Sequence, residues 1–118
     1  MKTQLKKGAL DMCVLAVLAR GDNYAHAVVS TLSSAMELSE GTVYPLMRRL
    51  QAAGCVTTYL VESASGPSRK YYSLTGVGRR RLRDMEAQWR GFVVEVDSVL
   101  ASRTPRQVAS RGPGVAGA

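Results

Sequence analysis

Residues 38–50, LSEGTVYPLMRRL, contain the clearest structural signal in this chain. The apolar residues among them recur at spacings of three and four, as on the buried face of a helix. Ser39 stands where an N-cap belongs and Gly54 follows the last apolar residue, so we predict a helix between them. Pro45 is compatible with this helix, because near the first turn its missing N–H has little to bond to. The inner face comprises Val43, Leu46, Met47, Leu50 and Ala53, and the outer faces Glu40, Thr42, Tyr44, Arg48, Arg49 and Gln51.

Two further helices are predicted before this one. Apolar residues recur at helical spacing from Gln4 to Arg20 and again from Tyr24 to Ser34. The intervening Gly21-Asp22-Asn23 ends the first helix and caps the second. The first helix is apolar nearly all round, which indicates burial on more than one side. We expect its second side to meet a partner subunit.

After Gly54 the period of the sequence changes from helix to strand. Cys55 to Val61 is rich in β-branched and aromatic residues, and Arg69 to Leu74 is a second segment of this kind. The turn-rich residues 63–68 lie between the two segments. We therefore predict a two-stranded β-hairpin whose second strand is basic.

A long last helix, from about Gly76 to Ser102, is predicted after the hairpin, with Thr75 as its cap. Large apolar residues step along it by three and four, an a/d heptad pattern typical of helices that pair with another helix. These residues are Leu82, Met85, Trp89, Phe92, Val96 and Val99.

Three helices followed by a hairpin is the order of elements in a winged helix-turn-helix domain. We therefore predict a mainly α fold with a two-stranded β wing over residues 1–75, and a C-terminal dimerisation helix over residues 76–102. Residues 103–118 are rich in Gly, Pro, Ala and Ser with dispersed Arg, a composition that predicts a disordered tail.

The charge of the chain favours a polyanionic partner. The formal net charge is +7, and residues 1–83 carry 12 Lys and Arg against 5 Asp and Glu. Residues 84–100, in contrast, have a net charge of −3. A positive surface suits a phosphate backbone, and here it belongs to the predicted winged domain.

The predicted helix at residues 39–54 has the character that DNA recognition requires. A major groove about 12 Å wide admits one helix with an apolar back and a polar or basic front. We expect its first turn to contact base edges, its two arginines to reach phosphates or guanine edges, and the hairpin tip to lie on the neighbouring backbone or minor groove. The predicted contacts to double-stranded DNA are Ser39, Glu40, Thr42, Tyr44, Arg48, Arg49, Ser68, Arg69 and Lys70.

The reactive residues argue against a metal site and against an enzyme. His26 is the only histidine, and Cys13 and Cys55 form no CxxC pair, so a zinc site lacks ligands. The chain offers neither paired carboxylates on a shared face nor a glycine-rich loop leading into a helix. We predict no catalytic activity and no cofactor, and we expect buried free thiols, as in a reducing compartment.

The N-terminus imitates a signal peptide, because Lys2, Lys6 and Lys7 precede an apolar run. Asp11 interrupts that run, which is also shorter than the roughly 20 apolar residues that span a bilayer. We interpret the run as a buried helix, and we expect a cytoplasmic protein with no membrane partner.

A winged helix has two other functions open to it, binding another protein and binding RNA. Four basic residues on the predicted helix and wing favour DNA over a protein partner. The exposed aromatics that would stack on RNA bases are few.

The same segments resemble the PadR family of bacterial transcriptional regulators. The likeness rests on residues 38–50, on Gly54 and on residues 66–78, and also on Lys7-Gly8 and residues 21–24. It covers roughly residues 5 to 100. Where relatives commonly have Tyr-Gly and a further aromatic or acidic residue, this chain has Tyr24-Ala25-His26-Ala27, so no family role is carried over to this turn.

The resemblance implies a homodimer in which the C-terminal helix packs on the partner's first helix. It also implies repression of a nearby promoter, relieved by a small planar aromatic effector such as a phenolic acid, an antibiotic or a cationic drug. Trp89 matches a tryptophan that walls the effector pore in some members, with Met12 and Ala16 on the facing helix. The expected dimer interface comprises Leu10, Val14, Leu82, Met85, Trp89, Phe92, Val96 and Val99.

Overall fold

A computed structural model describes residues 9–102 of the chain. The predicted start of the first helix before Ala9 and the predicted tail lie outside the described residues. The helices are α1 (Leu10–Ala19), α2 (Ala25–Ala35), α3 (Glu40–Ala52) and α4 (Gly76–Ser102), and the strands are β1 (Asn23–Tyr24), β2 (Val56–Ser63) and β3 (Gly66–Leu74). This mainly helical fold with a small sheet and a long last helix confirms the predicted winged helix architecture.

The ends of α3 lie where the sequence signals place them. Ser39 is the N-cap residue, in an extended conformation, and its hydroxyl lies 3.3 Å from that of Thr42. Gly54 adopts a φ of +78°, and the chain reverses there as the Cys55 N–H bonds to the Leu50 carbonyl. Glycine suits this left-handed position because it has no Cβ.

The sheet differs from the prediction in having three antiparallel strands, in the order β1-β3-β2. The added strand, β1, is two residues long and pairs Asn23 with Tyr72 and Tyr24 with Tyr71. Two residues are too few to show an alternating pattern, so no local pattern predicts this strand.

The predicted hairpin loop over residues 63–68 is also wrong. Only Ala64 and Ser65 form the turn, because Ser63 pairs with Gly66 and closes a tight hairpin. Pro67 therefore lies inside β3, at a level that β1 does not reach. Proline is tolerated there because this part of the central strand β3 has β2 on one side and no strand on the other.

The core lies among α1, α2, α3 and the base of the hairpin. Its buried residues are Leu10, Val14, Leu15, Val17, Leu18, Val28, Val29, Leu32, Val43, Leu46, Met47, Leu50, Cys55, Val56, Tyr72 and Leu74. Leu10 and Val14, which the sequence analysis assigned to a dimer interface, are 3% and 0% exposed. The assignment is corrected, because the chain's own core covers both side chains.

The start of α4 is fixed to the end of α3 by Thr75. Its hydroxyl accepts a hydrogen bond from the Gly78 N–H at 3.0 Å and donates one to the Gly54 carbonyl at 2.6 Å. Gly78 is needed because a Cβ there would meet the Cys55 carbonyl oxygen and come within 2.7 Å of a Leu74 methyl group. The predicted cap at Thr75 is confirmed.

The chain divides into two compact units, one ending at Glu86 and the other beginning at Ala87, inside α4. Leu82 and Met85 belong to the first unit and pack, partly buried, against its core. The apolar side chains of the second unit are largely exposed; they include Trp89 (43%), Phe92 (57%), Val94 (68%), Val99 (69%) and Leu100 (52%). None of the helices within residues 9–102 has the length and apolar character needed to cross a membrane.

Candidate nucleic-acid interface

The outward face of α3 carries polar and basic side chains over an apolar back. Val43, Leu46 and Met47 are buried, while Ser39, Glu40, Arg48 and Arg49 are exposed. Thr42 and Tyr44 are half-buried beside them. The polar and basic face of α3 is therefore exposed to solvent, and its apolar face is buried.

A groove of about 620 Å³ lies between this face of α3, the start of α2 and strand β3. It brings together Arg48 of α3 with Arg69 and Lys70 of β3, three of the residues predicted from the sequence. Ser68 lies in β3, exposed, but does not line the groove. The recognition helix and the wing thus share one basic surface.

Aromatic rings hold two of these cations in place. The Arg69 guanidinium carbon lies 4.5 Å from the centre of the Tyr24 ring, and the Lys70 ammonium 5.6 Å from that of Tyr72. Both distances fall within the range of cation–π attraction. Tyr72 is 5% exposed, so the partner of Lys70 is itself fixed in the core.

A second aromatic cluster stiffens the base of the wing. Tyr71 lies between Tyr24 at 5.6 Å and Tyr59 at 5.9 Å, measured between ring centres, one ring from each strand. The Tyr59 hydroxyl donates a hydrogen bond of 2.7 Å to the Asp22 carboxylate. This bond raises the pKa of Tyr59, since it stabilises the protonated phenol.

The arginines of the winged domain differ in whether a carboxylate neutralises them. Arg49 and Arg81 approach the two carboxylate oxygens of Asp11, at 2.5 Å and 3.5 Å, and the Asp11 side chain is only 14% exposed. Within residues 9–102, no Asp or Glu forms an ion pair with Arg48, Arg69 or Lys70. Arg49, predicted as a DNA contact, therefore forms an ion pair within the protein, although its side chain is 59% exposed. The cations of the groove form no such pair within residues 9–102.

Several residues of this surface were not predicted from the sequence. Tyr24, Ala25, His26 and Tyr72 line the groove, and they come from segments far from Arg48 along the chain. No local pattern marks such an assembly. Asp11 did carry a signal, since it is the single charge in an apolar helix.

The remaining predicted sites lie elsewhere. Trp89 is in the second compact unit, and Met12 and Ala16 are half-buried in the first.

Cys55 is buried and Cys13 half-buried, both as free thiols, and burial raises the pKa of Cys13, which keeps that thiol protonated. Across residues 9–102, no three His, Cys, Asp or Glu side chains are grouped to hold a metal ion.

The comparisons with known proteins agree with this geometry. The model of the PadR-like family of transcriptional regulators matches residues 14–84, from α1 through the wing into α4. The chain belongs to this family.

Solved structures of regulators resemble it over most of their length. A Streptococcus transcriptional regulator is 33% identical, with a TM-score of 0.74 over 83% of this chain and 98% of that one. A PadR-like transcriptional regulator of Bacillus cereus is 30% identical, with a TM-score of 0.75 over 82% and 96%. A PadR family transcriptional regulator of Eggerthella lenta is 38% identical, with a TM-score of 0.74 over 82% and 86%. These relatives are regulators and not enzymes.

We predict that Asp11 and Arg49 contribute jointly to stability. Asp11→Ala should lower the free energy of unfolding by about 0.5–2 kcal/mol, because it removes the shared carboxylate of two ion pairs whose guanidiniums are partly exposed. Arg49→Ala should lower it by less, about 1 kcal/mol or below, because the Arg49 side chain is 59% exposed. In urea unfolding, the double variant should lose less than the sum of the single variants.

The matched control is Arg48→Ala, which removes the same charge one residue earlier. It should leave stability within about 0.5 kcal/mol of the wild type. Strictly additive losses for Asp11 and Arg49 would show that the ion pair contributes nothing.

Proposed function

We propose that this PadR-like regulator is a homodimeric repressor that binds a dyad in double-stranded DNA and is released by a small planar aromatic ligand. The observation that carries the DNA-binding part is the groove in which α3 and β3 present Arg48, Arg69 and Lys70 without a carboxylate partner among residues 9–102. Cations that no protein group neutralises can replace counterions on phosphates.

In the proposed complex, α3 enters the major groove and its first turn contacts base edges. The exposed residues of that turn, Ser39 and Glu40, are short enough for close approach, with Thr42 and Tyr44 beside them. The two helices of a dimer would then occupy successive major grooves. Half-sites should lie about one helical turn apart, or a multiple of it.

We predict that Arg48→Ala and Lys70→Ala each weaken binding to the protein's own upstream DNA. Each should reduce the slope of log affinity against log salt by about 1, because one phosphate contact is lost. Gel shifts at several salt concentrations, with an unrelated duplex and a single-stranded RNA as competitors, give both quantities.

Arg20→Ala is the control, since it removes an exposed charge that does not line the groove. It should keep the wild-type slope. Wild-type affinity in both groove variants would contradict the assignment of this surface, and stronger binding to the RNA would contradict the choice of DNA.

The dimer is proposed on the exposed apolar residues of the second unit. Trp89, Phe92 and Val99 continue the heptad of Leu82 and Met85, and they are 43%, 57% and 69% exposed. Apolar side chains in contiguous exposed positions mark interaction surfaces. The proposed interface therefore comprises Trp89, Phe92, Val96 and Val99 of α4, together with the half-buried Met12 and Ala16 of the partner's α1.

We predict that Phe92→Asp converts the dimer to a monomer, because a carboxylate at a d position opposes burial of the seam. Sedimentation equilibrium measures the mass of both forms. Val94→Asp is the matched control, since Val94 is also exposed, at 68%, but lies opposite the a/d positions. A monomeric wild type, or equal effects of the two variants, would contradict the proposed seam.

The effector is proposed at Trp89. An indole is large for a two-helix seam, where Leu or Val would fit more closely. In the dimer, two indoles would wall a flat space, and a planar cation stacked there would gain about 0.5–2 kcal/mol of cation–π attraction. Its binding would alter the spacing of the two recognition helices and so release DNA.

We predict that planar aromatic ligands quench the emission of Trp89 saturably, since it is the single tryptophan of the chain. The same ligands should release DNA from the wild type in a gel shift. Trp89→Ala should bind DNA but no longer respond. If a broad panel of planar cations and phenolic compounds changes neither emission nor gel shift, Trp89 serves only in packing.

A further inference from the structure

Three tyrosines form a row across one face of the sheet, with one ring from each strand. Tyr59 of β2 and Tyr24 of β1 both pair with Tyr71 of β3, and residues directly opposite each other place their side chains on the same face. The ring centres of neighbours are 5.6 Å and 5.9 Å apart, within the range of favourable aromatic contacts. This tyrosine row therefore joins all three strands through side chains.

A hydrogen bond fixes one end of the tyrosine row. The Tyr59 hydroxyl donates to the Asp22 carboxylate at 2.7 Å, and Asp22 lies two residues before Tyr24. Because β3 is the central strand, this bond links the outer strand β2 to the segment that enters β1 on the other side of the sheet. Strand β1 pairs only two residues with β3, fewer than the three or more that are usual. The bond thus adds a restraint where backbone pairing is weakest.

A cation lies over the other end of the tyrosine row. The Arg69 guanidinium carbon is 4.5 Å from the centre of the Tyr24 ring, and Arg69 is exposed, in the part of β3 that β1 does not reach. An exposed arginine loses rotamer freedom when it is fixed on a partner, and a ring that holds the guanidinium beforehand reduces that loss. The next residue, Lys70, is on the opposite face, over Tyr72.

We propose that Tyr59 and Asp22 are positioning residues for Arg69: their hydrogen bond fixes the tyrosine row, and the row holds the guanidinium in one orientation for DNA. This role rests on the proposed function, in which Arg69 is a DNA contact of the wing. It requires no contact between DNA and either positioning residue. Because the row occupies one face of the sheet, the role does not extend to Lys70 on the other face or to Arg48 of α3.

The first test removes the Tyr59 hydroxyl alone. Tyr59→Phe keeps the ring and the net charge, and it should weaken binding to the protein's own upstream DNA about two- to fivefold, as expected for one lost hydrogen bond. That loss should disappear in the Arg69→Ala background, because the group that the row positions is gone. It should persist in the Arg48→Ala and Lys70→Ala backgrounds, which are the controls.

Two neutral variants of Asp22 separate its hydrogen bond from its charge. Both remove a carboxylate that repels DNA, but Asp22→Asn retains an oxygen that can accept the bond from Tyr59, whereas Asp22→Ala does not. Asp22→Asn should therefore bind DNA more tightly than Asp22→Ala, again by about two- to fivefold. In the Tyr59→Phe background the two variants should bind equally, since neither can form the bond.

The second test uses no DNA, so it separates this role from the proposed function. The ring current of Tyr24 shields protons over its face, so the side-chain NMR signals of Arg69 in the full-length protein should be shifted upfield. Tyr59→Phe should move these signals toward those of a mobile arginine, and Asp22→Asn should not. The signals of Lys70, which lies over a different ring, should stay as in the wild type in both variants.

The two tests together decide whether Arg69 is positioned for DNA. Arg69 signals that do not change in Tyr59→Phe would overturn the role, and so would a loss of affinity that is equal in all backgrounds. Changed signals with wild-type affinity in Tyr59→Phe would show that the orientation of Arg69 is irrelevant to DNA, which also overturns it. Changed signals in a protein that binds no duplex would contradict the proposed function and support the contact chain from Asp22 to Arg69.

Discussion

The ion pairs of Asp11 join three helices of the winged domain. Asp11 lies in α1, is mostly buried, and faces Arg49 of α3 and Arg81 near the start of α4. A buried carboxylate requires partners, because an unpaired charge in an apolar core is strongly disfavoured. Asp11 thus bridges α1 to α3 and α4. It adds a polar contact to the apolar packing of α3, whose Val43, Met47 and Leu50 are buried in the core.

Hydrogen bonds to backbone groups also join the start of α4 to the end of α3. Thr75 caps α4 and also bonds to the Gly54 carbonyl at the end of α3, while Gly78 allows the helix to approach Cys55 closely. The Arg81 guanidinium in turn lies 3.9 Å from the Cys55 sulfur. Any shift of the first turns of α4 therefore disturbs contacts that position the recognition helix.

Local signals explain which parts of the structure were predictable. The limits of α3, the cap at Thr75 and the existence of the wing follow from periodicity and capping residues, which act over a few positions. Strand β1 and the groove depend on side chains that only the tertiary fold brings together. Helix α1 is apolar nearly all round, so its sequence does not show which side packs on the core of its own chain. For this reason the prediction of Leu10 and Val14 at a dimer interface was wrong.

The different partners of two adjacent arginines likewise could not be predicted from local sequence. Arg48 and Arg49 are equivalent in composition, in local sequence and in their share of the net charge of +7. A helix turns by about 100° per residue, so neighbouring side chains cannot face the same surroundings. Arg49 forms an ion pair with Asp11, while Arg48 lines the groove with Arg69 and Lys70. The placement of a single carboxylate therefore separates Arg49, which pairs with α1, from Arg48, which lines the groove.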